Sequence, residues 1–175
     1  MQGSVKLLIR VLGLAAMAGL ASGGALAQDG DKDLGAHKKW HAHAYQEAGA
    51  PVCNMYSQPG KHEEGGRPRG NIYAYVTHRP KSKRFGEVSF DMGYPLKPGS
   101  DVTVSIGKQS FKLFVKDNAA FARTEDDPKL VKAMRRGNTM VVRGVSTRGT
   151  KTTDTYSLSG FTKAHKAINK ECGGR

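Results

Sequence analysis

The stretch TMVVRGVSTRGTKTTDTYSLSGF, Thr139 to Phe161, contains two alternating runs, Thr139 to Ser146 and Thr152 to Leu158. Arg148-Gly149 lies in the short link between them, which is the signature of a β-hairpin. Successive side chains on a strand point to opposite faces. Thr152, Asp154, Tyr156 and Leu158 therefore share one face, and Lys151, Thr153, Thr155 and Ser157 the other. The second face is wholly polar. Tyr156 and Leu158 are expected to pack inward, with Asp154 near the strand entrance where water reaches it. The hydroxyl-rich run then reads as the wet side of a late strand rather than as a source of nucleophiles. Gly160-Phe161 turns the chain into a closing helix.

The same pattern extends upstream. Short runs rich in β-branched and aromatic residues, bounded by Gly, Pro, Asn and Asp, predict strands at Trp40–Tyr45, Val52–Ser57, Asn71–His78, Glu87–Met92, Val102–Ile106, Ser110–Val115 and Ala119–Arg123. With the hairpin this makes an all-β domain of about nine short strands. The segment SQPGKHEEGGRPRGN, Ser57 to Asn71, reads as a long loop. Two helices interrupt the strands. In DDPKLVKAMRRGN, Asp127 can cap, Pro128 suits the first turn, and Leu130, Val131 and Met134 share a face. In FTKAHKAINKECGG, Thr162 is the expected cap, with Phe161, Ala164 and Ile168 facing inward.

Residues 1–27 have the layout of a secretory signal peptide: Lys6 and Arg10, an apolar stretch, then Ala25-Leu26-Ala27. Its apolar run is shorter than the roughly 20 residues a membrane span needs. The expected mature chain, Gln28 to Arg175, contains no other such run, so no transmembrane segment is expected in it. Residues 28–38 are polar and aperiodic and read as a flexible leader, with the domain at 39–175. The formal charge of +13 loses Lys6 and Arg10 with the signal peptide, leaving +11 on the mature chain. Such a charge favours anionic surfaces. Candidate contacts are Lys81, Lys83, Arg84, Arg135, Arg136, Lys163, Lys166 and Lys170, in short clusters. Cys53 and Cys172 both lie in the exported portion, where disulfides persist. A structural bridge is the expected state, with a free thiol pair or metal ligation as the alternatives.

Fragments that resemble catalytic motifs fail on spacing. IGKQS lacks the upstream glycine and the following Ser or Thr of a phosphate-binding loop. HEEGG has Gly66 where a second zinc-binding histidine belongs. SLSGF is not a nucleophile elbow. His41 and His43 share a strand face and, with His37, are weak candidates for a metal site, although the expectation is no metal and no cofactor. No catalytic residue is assigned. Nucleic acid is not an expected partner, because export removes it and the aromatic residues are few and dispersed along the sequence.

Trp40, Cys53 with YSQP (Tyr56–Pro59), YVTHRP (Tyr75–Pro80), GYPLKPGSDVTVSIGKQSFKLF (Gly93–Phe114), AMRRGNTMVVRGVSTRGTKTTDTYSLSGF (Ala133–Phe161) and the closing Cys172 together resemble the invasion-associated locus B family, in its short two-cysteine form. The resemblance implies an immunoglobulin-like β-sandwich, a periplasmic or cell-envelope location that extends in some cases to the surface or the medium, and no established catalytic activity. It also implies a Cys53–Cys172 bridge, and for pathogenic members a part in host-cell invasion. The reading that follows is an exported, non-enzymatic interaction module whose partner is an envelope or host protein or an anionic envelope component. An envelope-maintenance protein contacting lipopolysaccharide or lipid is the alternative, and a hydrolase with no recognised motif comes third. The sequence leaves the oligomeric state open.

Overall fold

The computed structural model describes residues 31–63 and 68–174. The signal-peptide reading falls outside them. Among the described residues eleven strands are formed: β1 (Lys32–His37), β2 (Trp40–Glu47), β3 (Ala50–Ser57), β4 (Lys61–Glu63), β5 (Tyr73–Arg79), β6 (Arg84–Asp91), β7 (Asp101–Ile106), β8 (Gln109–Lys116), β9 (Ala119–Phe121), β10 (Thr139–Val145) and β11 (Lys151–Ser157). A 3-10 turn spans Pro80–Ser82, and the α-helices are α1 (Asp127–Arg136) and α2 (Phe161–Cys172). All nine expected strands are present, and β1 and β4 are additional.

The strands form one antiparallel sheet in the order β1-β2-β3-β5-β6-β9-β8-β7-β10-β11-β4. It turns over on itself through β9 and β8, so that β2 and β6 face β11. Trp40 Nε1 donates across the layers to the Ser157 carbonyl at 3.0 Å, and the Phe90 and Tyr156 rings meet edge to face at 6.0 Å. The result is the expected all-β sandwich, immunoglobulin-like in its two packed antiparallel layers, with the layers continuous rather than separate. The inward residues of both layers, among them Trp40, Met55, Val76, Phe90, Val104, Met140 and Tyr156, form one buried core. Burying side chains of this size contributes about 1.5–3 kcal/mol each.

The flexible-leader reading of 28–38 is corrected where the structure describes it: residues 32–37 form an edge strand paired with β2 from Lys32↔Ala44 to His37↔Trp40. The pairing rests on backbone hydrogen bonds, which a polar sequence can make without apolar alternation. A bulge between Asp33 and Gly35 is fixed by the Asp33 Oδ1 acceptor, 2.8 Å from the Gly35 amide. Likewise β4 lies inside the expected long loop and covers β11 at Thr153–Thr155.

The helices cover the end of the inner face that the second layer leaves open. Leu130, Val131, Ala133 and Met134 of α1 and Phe161, Ala164 and Ile168 of α2 are buried. Neither expected cap operates. Asp127 is instead a helical residue, buried, whose Oδ1 accepts the Val88 amide at 2.9 Å beyond the end of β9. Helix α2 starts at Phe161, preceded by Gly160 at φ 96, and Thr162 Oγ1 donates to the Arg135 carbonyl at 3.4 Å. A Cβ on Gly160 would lie 1.7 Å from the His37 carbonyl oxygen, so only glycine lets α2 start against the β1–β2 turn. The other end of α2 is pinned by the Cys53–Cys172 disulfide, Cα–Cα 6.0 Å, which links β3 to the helix terminus. Its separation of 119 residues corresponds to about 4–5 kcal/mol in the chain-entropy account.

Candidate functional site

Between α1, α2 and the β5–β6 hairpin lies a groove of about 830 Å³. Its floor is histidine. His78, on the inward face of β5, and His165, on α2, are 1% and 4% exposed, with rings edge to face at 5.6 Å. The Gly86 amide donates to His78 Nδ1 at 2.9 Å. His78 Nε2 therefore carries the proton and donates to Asn169 Oδ1 at 2.6 Å. Burial, then His78 and Arg135, pull the His165 pKa down to about 4, so this ring is neutral at physiological pH. It stacks on Phe161 at 5.9 Å.

The rim is cationic and partly apolar. Lys132, Arg135 and Arg136 come from the exposed side of α1, whose inward stripe fixes the outward position of these three cations. Phe85, 40% exposed, closes the opposite side. A neutral floor under guanidinium and ammonium groups suits an anionic head with apolar parts. The hydroxyl lining the groove is that of Thr162, spent on the Arg135 carbonyl. The groove thus pairs no nucleophile with a base.

A second concentration of charge is structural. Arg69 and Asp154 form a two-point ion pair, Nη1–Oδ1 2.7 Å and Nη2–Oδ2 2.8 Å, with side chains 3% and 0% exposed. Arg69 also donates to the Met92 carbonyl at 3.1 and 2.7 Å and lies 4.8 Å over the Tyr94 ring. Burial opposes its charge, but the hydrogen bonds and charge of Asp154 outweigh that and hold its pKa above the ordinary value. The expected wet position of Asp154 is thus corrected: the strand faces are as read, with Thr152, Asp154, Tyr156 and Leu158 all buried, but Arg69 replaces water.

A two-layer sheet with a terminal helix clamped by two cysteines now stands beside the sequence motifs. The sequence profile of the Invasion associated locus B (IalB) protein family matches residues 40–169. The chain belongs to this family. Its fold is similar to the crystal structure of invasion associated protein B from Bartonella henselae, at 15% identity and a TM-score of 0.57, over 81% of this chain and 98% of that one. None of the curated proteins compared with it matches the chain. The family match covers α1, most of α2 and both groove histidines, and ends at residue 169, before Cys172.

The candidate basic contacts are divided by the structure. Arg135 and Arg136 line the groove together with Lys132, which sequence reading missed. Lys163, Lys166 and Lys170 occupy exposed positions on α2 outside the lining. Lys81 and Lys83 sit exposed on the 3-10 turn, and Arg84 is engaged by Glu87. The histidine candidates do not converge either. His37 Nε2 lies 3.2 Å from the Leu34 carbonyl, while His41 and His43 flank Tyr56, with ring centroids 5.4 and 5.5 Å away. Among the described residues no three His, Cys, Asp or Glu side chains are grouped to hold a metal ion.

The sequence reading that aromatics are dispersed is corrected in space. Tyr45, Tyr56, Tyr73 and Tyr75, four of the chain's six tyrosines, gather with His41 and His43 on the outward face of β2, β3 and β5. Only the strand register could have revealed it: Tyr56 stands opposite both His41 and Tyr75.

Proposed function

We propose that the protein is an exported, non-enzymatic module of the cell envelope, and that its groove takes the anionic head of an envelope amphiphile on Lys132, Arg135 and Arg136. The carrying observation is the combination of a three-cation rim, an exposed Phe85 and a neutral histidine floor in one concavity. Among the described residues no carboxylate pairs with these cations, and they face outward. Export is supported by the signal-like first 27 residues and by a bridged cysteine pair of the kind oxidising compartments retain. The invasion named for the Bartonella henselae relative is one setting in which an envelope-binding module would act, and a surface destination is compatible with it. Contact with lipopolysaccharide or phospholipid is favoured over a protein partner by the phosphate-matching rim.

Sedimentation with phosphatidylglycerol vesicles, against phosphatidylcholine vesicles, tests this. At low salt the protein should pellet with the anionic vesicles alone. Raising salt to about 1 M, where the Debye length is roughly 3 Å, should release it. The R135A/R136A variant should bind about thirtyfold more weakly, at roughly 1 kcal/mol per cation near an anionic surface. Equal binding to both vesicle types, or an unchanged variant, would overturn the reading.

A further inference from the structure

We propose that the outward face of β2, β3 and β5 is a second binding surface, for an uncharged glycan. It is built from His41, His43, Tyr45, Tyr56, Tyr73 and Tyr75, whose neighbouring ring centroids are 5.4 to 6.4 Å apart. His41 is exposed and the other five are half-buried, so their faces and edges meet solvent as one continuous surface. Both helices lie on the opposite side of these strands: Phe161 of α2 meets the inward Trp40 at 4.9 Å, and Cys172 joins the inward Cys53. Rigid tyrosines supply broad contact area at little entropic cost, with an apolar ring and a polar tip. A pyranose has the complementary make-up, with C–H faces to lie on rings and hydroxyls at its rim.

Charge selects against the other classes. In a chain of formal charge +13 this face carries no lysine among its rings. The register places Glu87 and Asp91 of β6 beside Thr77 and Tyr73, and Glu47 ends β2 beyond Tyr45. Arg79 is held between Glu47 at 3.2 Å and Glu87 at 3.7 Å, and Arg84, opposite Arg79 in the register, is engaged by the same Glu87. Burial and then the Asp91 charge push the Tyr75 hydroxyl up to about 12, so it keeps its proton as a donor. Such a surface offers phosphate and carboxylate only arginines already engaged by carboxylates. It therefore differs in kind from the groove, and nucleic acid and anionic lipid do not fit it.

A further observation points to a hydroxylic ligand. Asn54 lies two residues along β3 from Tyr56, on the same face and opposite His43 and Thr77, and is 8% exposed. Its Nδ2 donates to Thr77 Oγ1 at 3.0 Å, yet its Oδ1 is buried with no hydrogen-bond partner among the described residues. Leaving such an acceptor unmade is costly. A small shift of the overlying rings would let a sugar hydroxyl donate to it.

The test is an NMR titration of the full mature chain with two neutral probes, the β-1,4-linked tetramers of glucose and of N-acetylglucosamine, following the tyrosine and histidine ring signals. At least one tetramer should give saturable shifts confined to the six rings and insensitive to salt. Replacing Tyr56 and Tyr75 by alanine should weaken the binding about tenfold or more per ring, Tyr→Phe at both should keep most of it, and R135A/R136A should leave it unchanged. Should the double alanine variant not fold, His41→Ala, at the exposed rim, should still weaken binding. No saturable shift with either tetramer would overturn the proposal, as would shifts that survive loss of the rings. A decaproline peptide that moves these rings when the sugars do not would assign the face to an extended protein segment and equally overturn it.

Discussion

On β3 and β5, Cys53, Met55 and Val76 point into the core and His78 into the groove, whereas Asn54, Tyr56 and Tyr75 stand on the opposite face. Alternation along the same strands thus feeds two surfaces of unlike chemistry. The helix side presents cations over neutral histidines, and the far side presents neutral rings bordered by carboxylates. The inward side also carries the fold's stability: its disulfide clamps α2, and the buried Arg69–Asp154 pair lies elsewhere in the same core. The rings of the far side are half-buried or exposed and are expected to contribute less to stability. The ring surface is therefore separable from the core by strand parity, whereas the cationic groove shares the inward side with it.

The comparison is broken most severely from the inside. Asp154→Ala should cost about 3–5 kcal/mol in urea unfolding, because it leaves the Arg69 charge buried and unpaired. Adding Arg69→Met should recover part of that loss. Cys172→Ser comes next, at about 2–4 kcal/mol, and it should loosen the groove before the sandwich, seen as faster amide exchange in α2 than in β10 and β11. On the ring face, Tyr56→Ala should cost less, about 1 kcal/mol, in the same urea assay. If it costs as much as Asp154→Ala, the division between the two sides fails.

Acid titration sharpens the inward side further. Burial, then Glu87, pushes the Asp127 carboxyl up from 3.8 to about 6. Across that window the folded chain holds a proton that the unfolded chain has released, so this contribution to stability is lost as pH rises from about 4 to 6. His165, lowered from 6.5 to about 4, has the opposite slope: the unfolded chain takes up the proton first, and stability falls as pH drops through that window. The two slopes offset each other in the wild type. Asp127→Asn should leave the histidine slope alone and make the melting temperature fall more steeply between pH 6.5 and 4. His165→Gln should leave the carboxyl slope, so that acidification over the same range is less harmful than in wild type.

Much of the fold was legible because nine strands and the inward helix faces obey simple periods. Strands β1 and β4 were not, since edge strands held by backbone bonds need no apolar alternation. Arg69 was hidden in a loop whose composition reads as solvent-exposed, and its partner Asp154 was assigned to water for want of a visible cation. Of the groove, Arg135 and Arg136 were legible as a basic cluster. The histidine floor was not, because His78 and His165 meet only once α2 docks on β5. The ring face was illegible for a related reason: its six members come from three strands, and only register brings them together.

The measurement that tests the central claim most directly is the salt dependence of binding to phosphatidylglycerol vesicles, compared between the R135A/R136A and the Tyr56→Ala/Tyr75→Ala variants. The account predicts that the arginine variant binds weakly with a shallower salt dependence, while the tyrosine variant matches wild type. Loss of vesicle binding in the tyrosine variant, with the arginine variant unaffected, would contradict it.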